Sequence, residues 1–366
     1  MNQLTRIHGV ITLALFIISI VTAFANQLGI TGPASILFFL SLAGFMRHFK
    51  KFSGLSFTVL IFAAVTASMF YPAPFVELAG FKLQRLIVPL LMIIMFGMGT
   101  AMSIHDFVGI IKMPKGVLVG IICQFSIMPV VGFSLAYLTG LPPEIAAGII
   151  LVGCSPSGLA SNVMAYISNA NLALSLTLTA VATLLAPLMT PFLMKTLADQ
   201  LVPIDFLSML MSIVRIVILP VIAGLAFHHL AHGRFKWLDE AMPKVSMAGI
   251  TIIIAIITAA GRDSLLEIGL ILIAAVIAHN VIGYFLGYWA GRLTGLDEQS
   301  ARTVAFEVGM QNAGLASGIA LEMGRVATMG LAPAVFGPFM NISGSSLATW
   351  WRGSEESSKN EDEVPA

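Results

Sequence analysis

Charge is scarce in this chain. Lys, Arg, Asp and Glu make up only 10% of its 366 residues, against 58% hydrophobic residues and a mean hydropathy of +0.95. A soluble globular domain cannot hide that much apolar surface, so the composition excludes one. The net charge of +1 comes from basic residues scattered between apolar runs, and no single basic patch offers a surface to nucleic acid. Cysteine is almost missing: Cys123 and Cys154 both fall inside apolar runs, which gives no disulfide framework. The chain also lacks a Ser/His/Asp set, an HExxH motif and paired aspartates, which argues against an intramembrane enzyme. What remains is an all-α polytopic membrane protein.

Against that apolar background one pattern occurs twice. Residues 152–161 read VGCSPSGLAS and residues 308–317 read VGMQNAGLAS, an offset of 156. LTGL at 138–141 recurs at 293–296, and LAP at 185–187 recurs at 331–333. A duplicated half-chain is the economical reading. Both copies of the frame sit in apolar runs interrupted by Gly, Pro, Ser or Asn, the pointer to paired broken helices meeting at a transporter's midplane.

The order of spans follows from loop charge. Arg6, an apolar run from about 9 to 25 and Ala23-Phe24-Ala25 imitate a signal peptide over residues 1–25. A second apolar run at 33–46 follows at once, which favours a retained transmembrane hairpin over 1–52. Arg47, His48, Lys50 and Lys51 form the densest basic cluster and assign that loop to the cytoplasm. Ten further spans are expected at about 54–71, 84–103, 115–137, 144–168, 171–195, 204–231, 245–261, 265–292, 299–324 and 330–350. The basic loops at 105–115, 228–244 and 292–302 then also face inside, and both termini are cytoplasmic in an inner membrane. Five spans per half make the repeats, 53–200 and 201–352, inverted relative to one another. Segment 204–231 is too long for a perpendicular span, so its start belongs in the outer interface, with Arg215 snorkelling to the headgroups in preference to partnering a substrate charge. The polar, acidic tail 353–366 is expected to be disordered.

Polar residues near the two breaks carry the chemistry. Glu307 is the one carboxylate well inside a span, where an ionisable group is expensive and marks function. Gln311 follows at i+4 on the same helical face, and Asn312 lies at the break. In the first half Ser161 and Asn162 follow Pro156 and Gly158, and Ser175 and Thr179 place two hydroxyls on one face of the next span. Gln124 is alone in a mostly apolar span. One negative charge and many neutral oxygens suit a hard monovalent cation after it sheds water, with carbonyls freed at the breaks completing the shell. Singly, the hydroxyls are ordinary packing or back-bonding residues and Gln124 an interhelical hydrogen-bond partner; the repeated frame is what raises them.

These residues also carry a likeness. GCSPSGLASNVMAYISNANLALSLTLTAVATLLAPLMTP, with FEVGMQNAGLASGIA later, resembles the bile acid:sodium symporter family, in its bacterial type, over roughly residues 54–350. The resemblance implies a ten-span core of inverted five-helix repeats in which the fourth and ninth helices are broken and cross, and two sodium ions. By position the first sodium would use Ser161, Asn162, Ser175, Thr179 and Glu307. The second would use Gln124, Glu307 and Gln311, with main-chain carbonyls of Val308 and Met310. Asn312 matches a substrate-contacting position, and Ser157, Gly158 and Asn162 complete the candidate substrate set. Where many members read PGGTASN this chain reads Pro156-Ser157-Gly158-Leu159-Ala160-Ser161-Asn162, so a hydroxyl is absent at 159 and one appears at 157. The N-terminal hairpin lies outside the implied core.

The expected function is sodium-coupled import of a small organic anion: a bile-acid-like, pantothenate-like or other carboxylate or sulfonate. The half-helices beginning near Ser157 and Asn312 would aim their positive ends at it. The expected surroundings are a lipid bilayer and no nucleic acid, with the protein as a monomer. Proton coupling through Glu307 and His279 is the alternative within transport, and a non-transporting membrane sensor or scaffold the alternative outside it.

Overall fold

The computed structural model describes residues 3–49, 55–231 and 236–362. Lys50, Lys51 and the boundary at 52/53 lie outside the described residues, as do residues 232–235 of the basic loop at 228–244 and the last four residues of the tail.

The apolar runs fold as helices because each backbone group is then satisfied within its own segment. α1 (Gln3–Phe24) and α2 (Leu28–Met46) pack on each other, and α2 packs on α3 (Ser56–Phe70). A one-turn α4 (Ala73–Val76) and a small ribbon, β1 (Glu77–Leu78) with β2 (Phe81–Lys82), lead to α5 (Ile87–Ala101). A short α6 (Gly109–Lys112) precedes α7 (Pro114–Leu138), and α8 (Pro143–Cys154), α9 (Ala160–Ile167) and α10 (Leu172–Leu197) follow. The second half comprises α11 (Phe206–Ile213), α12 (Leu219–Ala231), α13 (Lys236–Ala260), α14 (Arg262–Leu293), α15 (Glu298–Gly309), α16 (Ala313–Glu322) and α17 (Leu331–Asp362).

Eight helices among the described residues are long and apolar enough to cross a membrane. The segments 144–168 and 299–324, single spans by hydropathy, are each two half-helices: α8 with α9, and α15 with α16. Two groups of helices meet. In one, α3 and α5 pack on α13 and α5 packs on α12; in the other, α7 is packed by α8, α10, α14 and α15. Contacts of α16 with α5 and of α17 with both α3 and α13 join the groups beside the breaks.

The repeated LTGL has a structural meaning. Gly140 (φ +61°) and Gly295 (φ +77°) both adopt the left-handed conformation that ends a helix, closing α7 and α14 just before each broken pair. Segment 204–231 holds a π-helical turn, Val214–Ile218, between α11 and α12. It carries Arg215, which is more than half exposed and pairs with Glu322 at the end of α16. Helical backbone in α17 runs on to Asp362. A helix already nucleated in the span propagates readily through Glu and Lys, both good helix formers.

Candidate functional site

Both broken helices stop in extended backbone, Ser155 (ψ 154°) after α8 and Met310 (ψ 94°) after α15. The two interruptions then pair with each other. Gly158 N donates to Met310 O (3.1 Å) and Asn312 N donates to Pro156 O (2.8 Å), an antiparallel bridge between Ser157 and Gln311. Gly158 eases this approach, since a Cβ there would lie 3.3 Å from Gln311 O, tighter than an ordinary contact.

Carbonyls freed at the breaks are satisfied from neighbouring helices, as buried carbonyls must be. Thr190 of α10 donates to Cys154 O (2.7 Å), and Gln124 Nε2 of α7 donates to Ser155 O (3.0 Å). On the other side Asn280 of α14 donates to Gly309 O (2.8 Å) and Gln311 Nε2 donates to Val308 O (2.5 Å). Ser343 of α17 in turn donates to Asn280 Oδ1 (2.6 Å). Thr190 and Asn280 were not among the sequence candidates. Asn280 had a signal, as an isolated amide inside the apolar run of α14.

Glu307 lies at the centre, 1% exposed. Its Oε1 accepts from Ser161 (2.6 Å), Ser175 (2.6 Å) and Thr179 (3.1 Å), and its Oε2 from Ser157 (2.6 Å) and Thr179 (3.0 Å). Asn162 Oδ1 lies 2.7 Å from Ser175 Oγ and 3.2 Å from Thr179 Oγ1, and Ser161 Oγ is also 2.8 Å from Gly158 O. A hydroxyl has one proton to donate. Ser161, Ser175 and Thr179 each face two or more acceptors with that single proton, so oxygen lone pairs confront one another across the cage. A small hard cation relieves such an excess of oxygen, and a carboxylate among neutral oxygens suits charge +1.

Beside this cage Gln124 Nε2 bridges Ser155 O and Gln311 Oε1 (2.9 Å), while Gln124 Oε1 is buried with no hydrogen-bond partner among the described residues. Two acceptors on the nitrogen side fix the orientation of the amide, so the free atom is an acceptor. The carbonyls of Val308 and Met310 each accept one hydrogen bond and keep a second lone pair.

All the candidate sodium residues therefore converge. The candidate substrate residues divide: Gly158 and Asn312 line a cavity of about 220 Å³, whereas Ser157 and Asn162 turn their polar atoms to the Glu307 cage. The cavity wall is mostly apolar, with Ile94, Met98, Ile253 and Met340 in it, and its polar groups include Asn312, Ser317 and Asn341. The first residues of α16, Leu159 just before α9 and Ala160 of α9 also line it, so both half-helix N-termini face this space. His279 joins α14 to α7 through Met128 O (2.9 Å) and takes no part in the hydrogen bonds around Glu307.

Comparison with known proteins gives a consistent picture. A family model described as the sodium bile acid symporter family matches residues 88–268. A Bacillus subtilis protein named as the uncharacterized sodium-dependent transporter YocS is 38% identical over 307 residues, 84% of this chain and 94% of the relative. An Arabidopsis thaliana protein named as a probable chloroplastic sodium/metabolite cotransporter is 36% identical over 72% of this chain and 66% of its own length. The ileal sodium/bile acid cotransporter of Mus musculus is 36% identical over 63% of this chain and 67% of its own length.

Proposed function

The chain belongs to the sodium bile acid symporter family and is a multi-pass, sodium-coupled transporter, and from that premise we propose that it imports a small organic anion with two sodium ions by alternating access at the crossing. The observation that carries the proposal is the proton-poor oxygen cage on Glu307. One sodium is held by Ser161, Asn162, Ser175, Thr179 and Glu307. The other is held by Gln124 Oε1, Gln311 and the carbonyls of Val308 and Met310, with Glu307 supplying charge to both.

The substrate occupies the cavity beside the bridge. Its apolar body packs on Ile94, Met98 and Ile253, and its carboxylate or sulfonate faces the N-terminal amides of α9 and α16 beside Asn312. Bile-acid-like, pantothenate-like and other organic anions share that chemistry. Sodium orders both breaks around one carboxylate, so the substrate meets its assembled site only after the ions have bound. The LTGL caps and the antiparallel bridge between equivalent breaks support inverted repeats, and the basic loops support cytoplasmic termini in the inner membrane.

Thermal stability of detergent-purified protein in sodium against potassium, at equal ionic strength, tests the reading. A ligand bound only to the folded state stabilises by about 2.7 kcal/mol at a hundredfold excess over Kd. A sodium-specific rise in wild type, lost in Glu307→Ala, is expected together with sodium-driven uptake of a labelled organic anion. A response to pH with no preference for sodium would overturn it in favour of proton coupling.

A further inference from the structure

A second cavity, of about 590 Å³, lies between the N-terminal hairpin and the rest of the bundle. α2 contributes Leu40, with Arg47 just past its end, α3 contributes Leu60 and Ala64, and α13 contributes Lys244 and Thr251. Arg262, just beyond α13, donates to Met69 O near the end of α3 (2.6 Å), so α3 and α13 run in the same direction. Lys244 early in α13 and Arg47 before α3 therefore stand at one end, while the remaining wall is almost entirely apolar. Both cations are exposed, and neither forms an ion pair among the described residues. Arg47 is oriented by a hydrogen bond from its Nε to Ser56 (3.0 Å).

We propose that this groove binds one anionic phospholipid, its phosphate between Arg47 and Lys244 and an acyl chain along α3. Along α3 the lining residues run from Phe57 to Ala67, about 15 Å at 1.5 Å per residue, which is half of a roughly 30 Å hydrocarbon core and so the depth of one leaflet. Charge complementarity chooses an anionic headgroup over a zwitterionic one. The hairpin thereby acquires a task separate from sodium and substrate: with α3 and α13 it builds a lipid site.

The test uses the full chain, purified and delipidated in a neutral detergent, with palmitoyl-oleoyl phosphatidylglycerol and the matching phosphatidylcholine as probes. Retention of each lipid is read by native mass spectrometry. Each cation near a headgroup is worth roughly fivefold in affinity. Wild type is expected to prefer phosphatidylglycerol, Lys244→Gln to lower that preference roughly fivefold without changing phosphatidylcholine retention, and Lys244→Arg to keep it. Ala248→Trp, which fills the groove from an exposed position, should reduce retention of both lipids. Equal retention of the two lipids by wild type, or full preference in Lys244→Gln, would overturn the proposal. Lys244 is exposed and forms no ion pair among the described residues, so its loss is expected to leave folding intact, which unchanged phosphatidylcholine retention checks.

Discussion

Between Cys154 and Ala160 the first broken helix is interrupted for five residues, whereas the second passes from Gly309 to Ala313 with only three between. Both breaks lie in the frame VGxxxxGLAS, yet the frame is folded differently. In the first copy α9 begins at the Ala of GLAS; in the second α16 is already helical before the Gly. Asn312 caps α16 by accepting from Leu315 N (3.0 Å), while α9 opens behind Gly158 and Leu159, neither of which offers a capping oxygen. The two serines of GLAS part accordingly: Ser161 reaches Glu307, and Ser317 bonds back to Ala313 O (2.9 Å) beside the cavity. The first broken helix supplies the hydroxyls of Ser157 and Ser161 and the Asn162 amide, and the second supplies the carboxylate and the Gln311 amide. A duplicated pattern has become two complementary halves of one cage.

Glu307→Ala should break this complementarity most severely. It strands four hydroxyls that now share one acceptor, and we expect sodium-driven uptake to fall at least a hundredfold with loss of the sodium-specific rise in melting temperature. Gly153→Ala and Gly309→Ala come next, because an added Cβ would lie 2.3 Å from Met128 O in one and 2.2 Å from the Tyr284 ring in the other. Each should cost about 1–3 kcal/mol by overpacking. The two sites separate on relief: Tyr284→Leu should recover part of the loss in Gly309→Ala, but no side-chain change frees Gly153 from a backbone oxygen, as denaturation of the double variants would show. A milder change is expected for Gln124→Leu. It removes the unpartnered Oε1 while sparing the Glu307 cage, so the Hill coefficient for sodium in uptake should fall from near two toward one with the sodium-specific thermal shift retained.

The smallest effect concerns how the broken helices begin. α15 is capped by Asp297, which accepts from Ser300 N (2.9 Å) and Ser300 Oγ (2.9 Å), whereas α8 begins on Pro143 with no side-chain cap. Partial burial pushes the Asp297 carboxyl up, but the hydrogen bonds outweigh it and hold the group below its usual range. A depressed carboxylate contributes stability that is full above the ordinary carboxylate range and is lost as pH falls through its folded value. Asp297→Ala should therefore cost about 1 kcal/mol at neutral pH and flatten the acid limb of a melting-temperature profile.

Glu307 and its partners were legible because charge is so rare here that one buried carboxylate stands out, and because a repeated frame marks both breaks at once. The convergence of Gln124, Gln311 and Val308 could be expected by resemblance, but the orphaned Oε1 that suits Gln124 to the proposed second ion depends on which way its amide turns. Thr190 and Asn280 were missed for a related reason. Each braces a carbonyl freed by a distant break, and hydropathy along one helix says nothing about which partner's backbone it meets. The motif places Ser157 with substrate and Asn162 with both substrate and sodium; in the structure Ser157 donates to Glu307, and Asn162 Oδ1 accepts from Ser175 beside it. The helical continuation to Asp362 likewise depends on the span that nucleates it, which composition of the tail alone does not register.

Phe57 belongs to the walls of both the central cavity and the hairpin groove. A ring shared by two compartments shapes both at once: the volume it fills is withheld from each, and a substitution at Phe57 alters the two walls together.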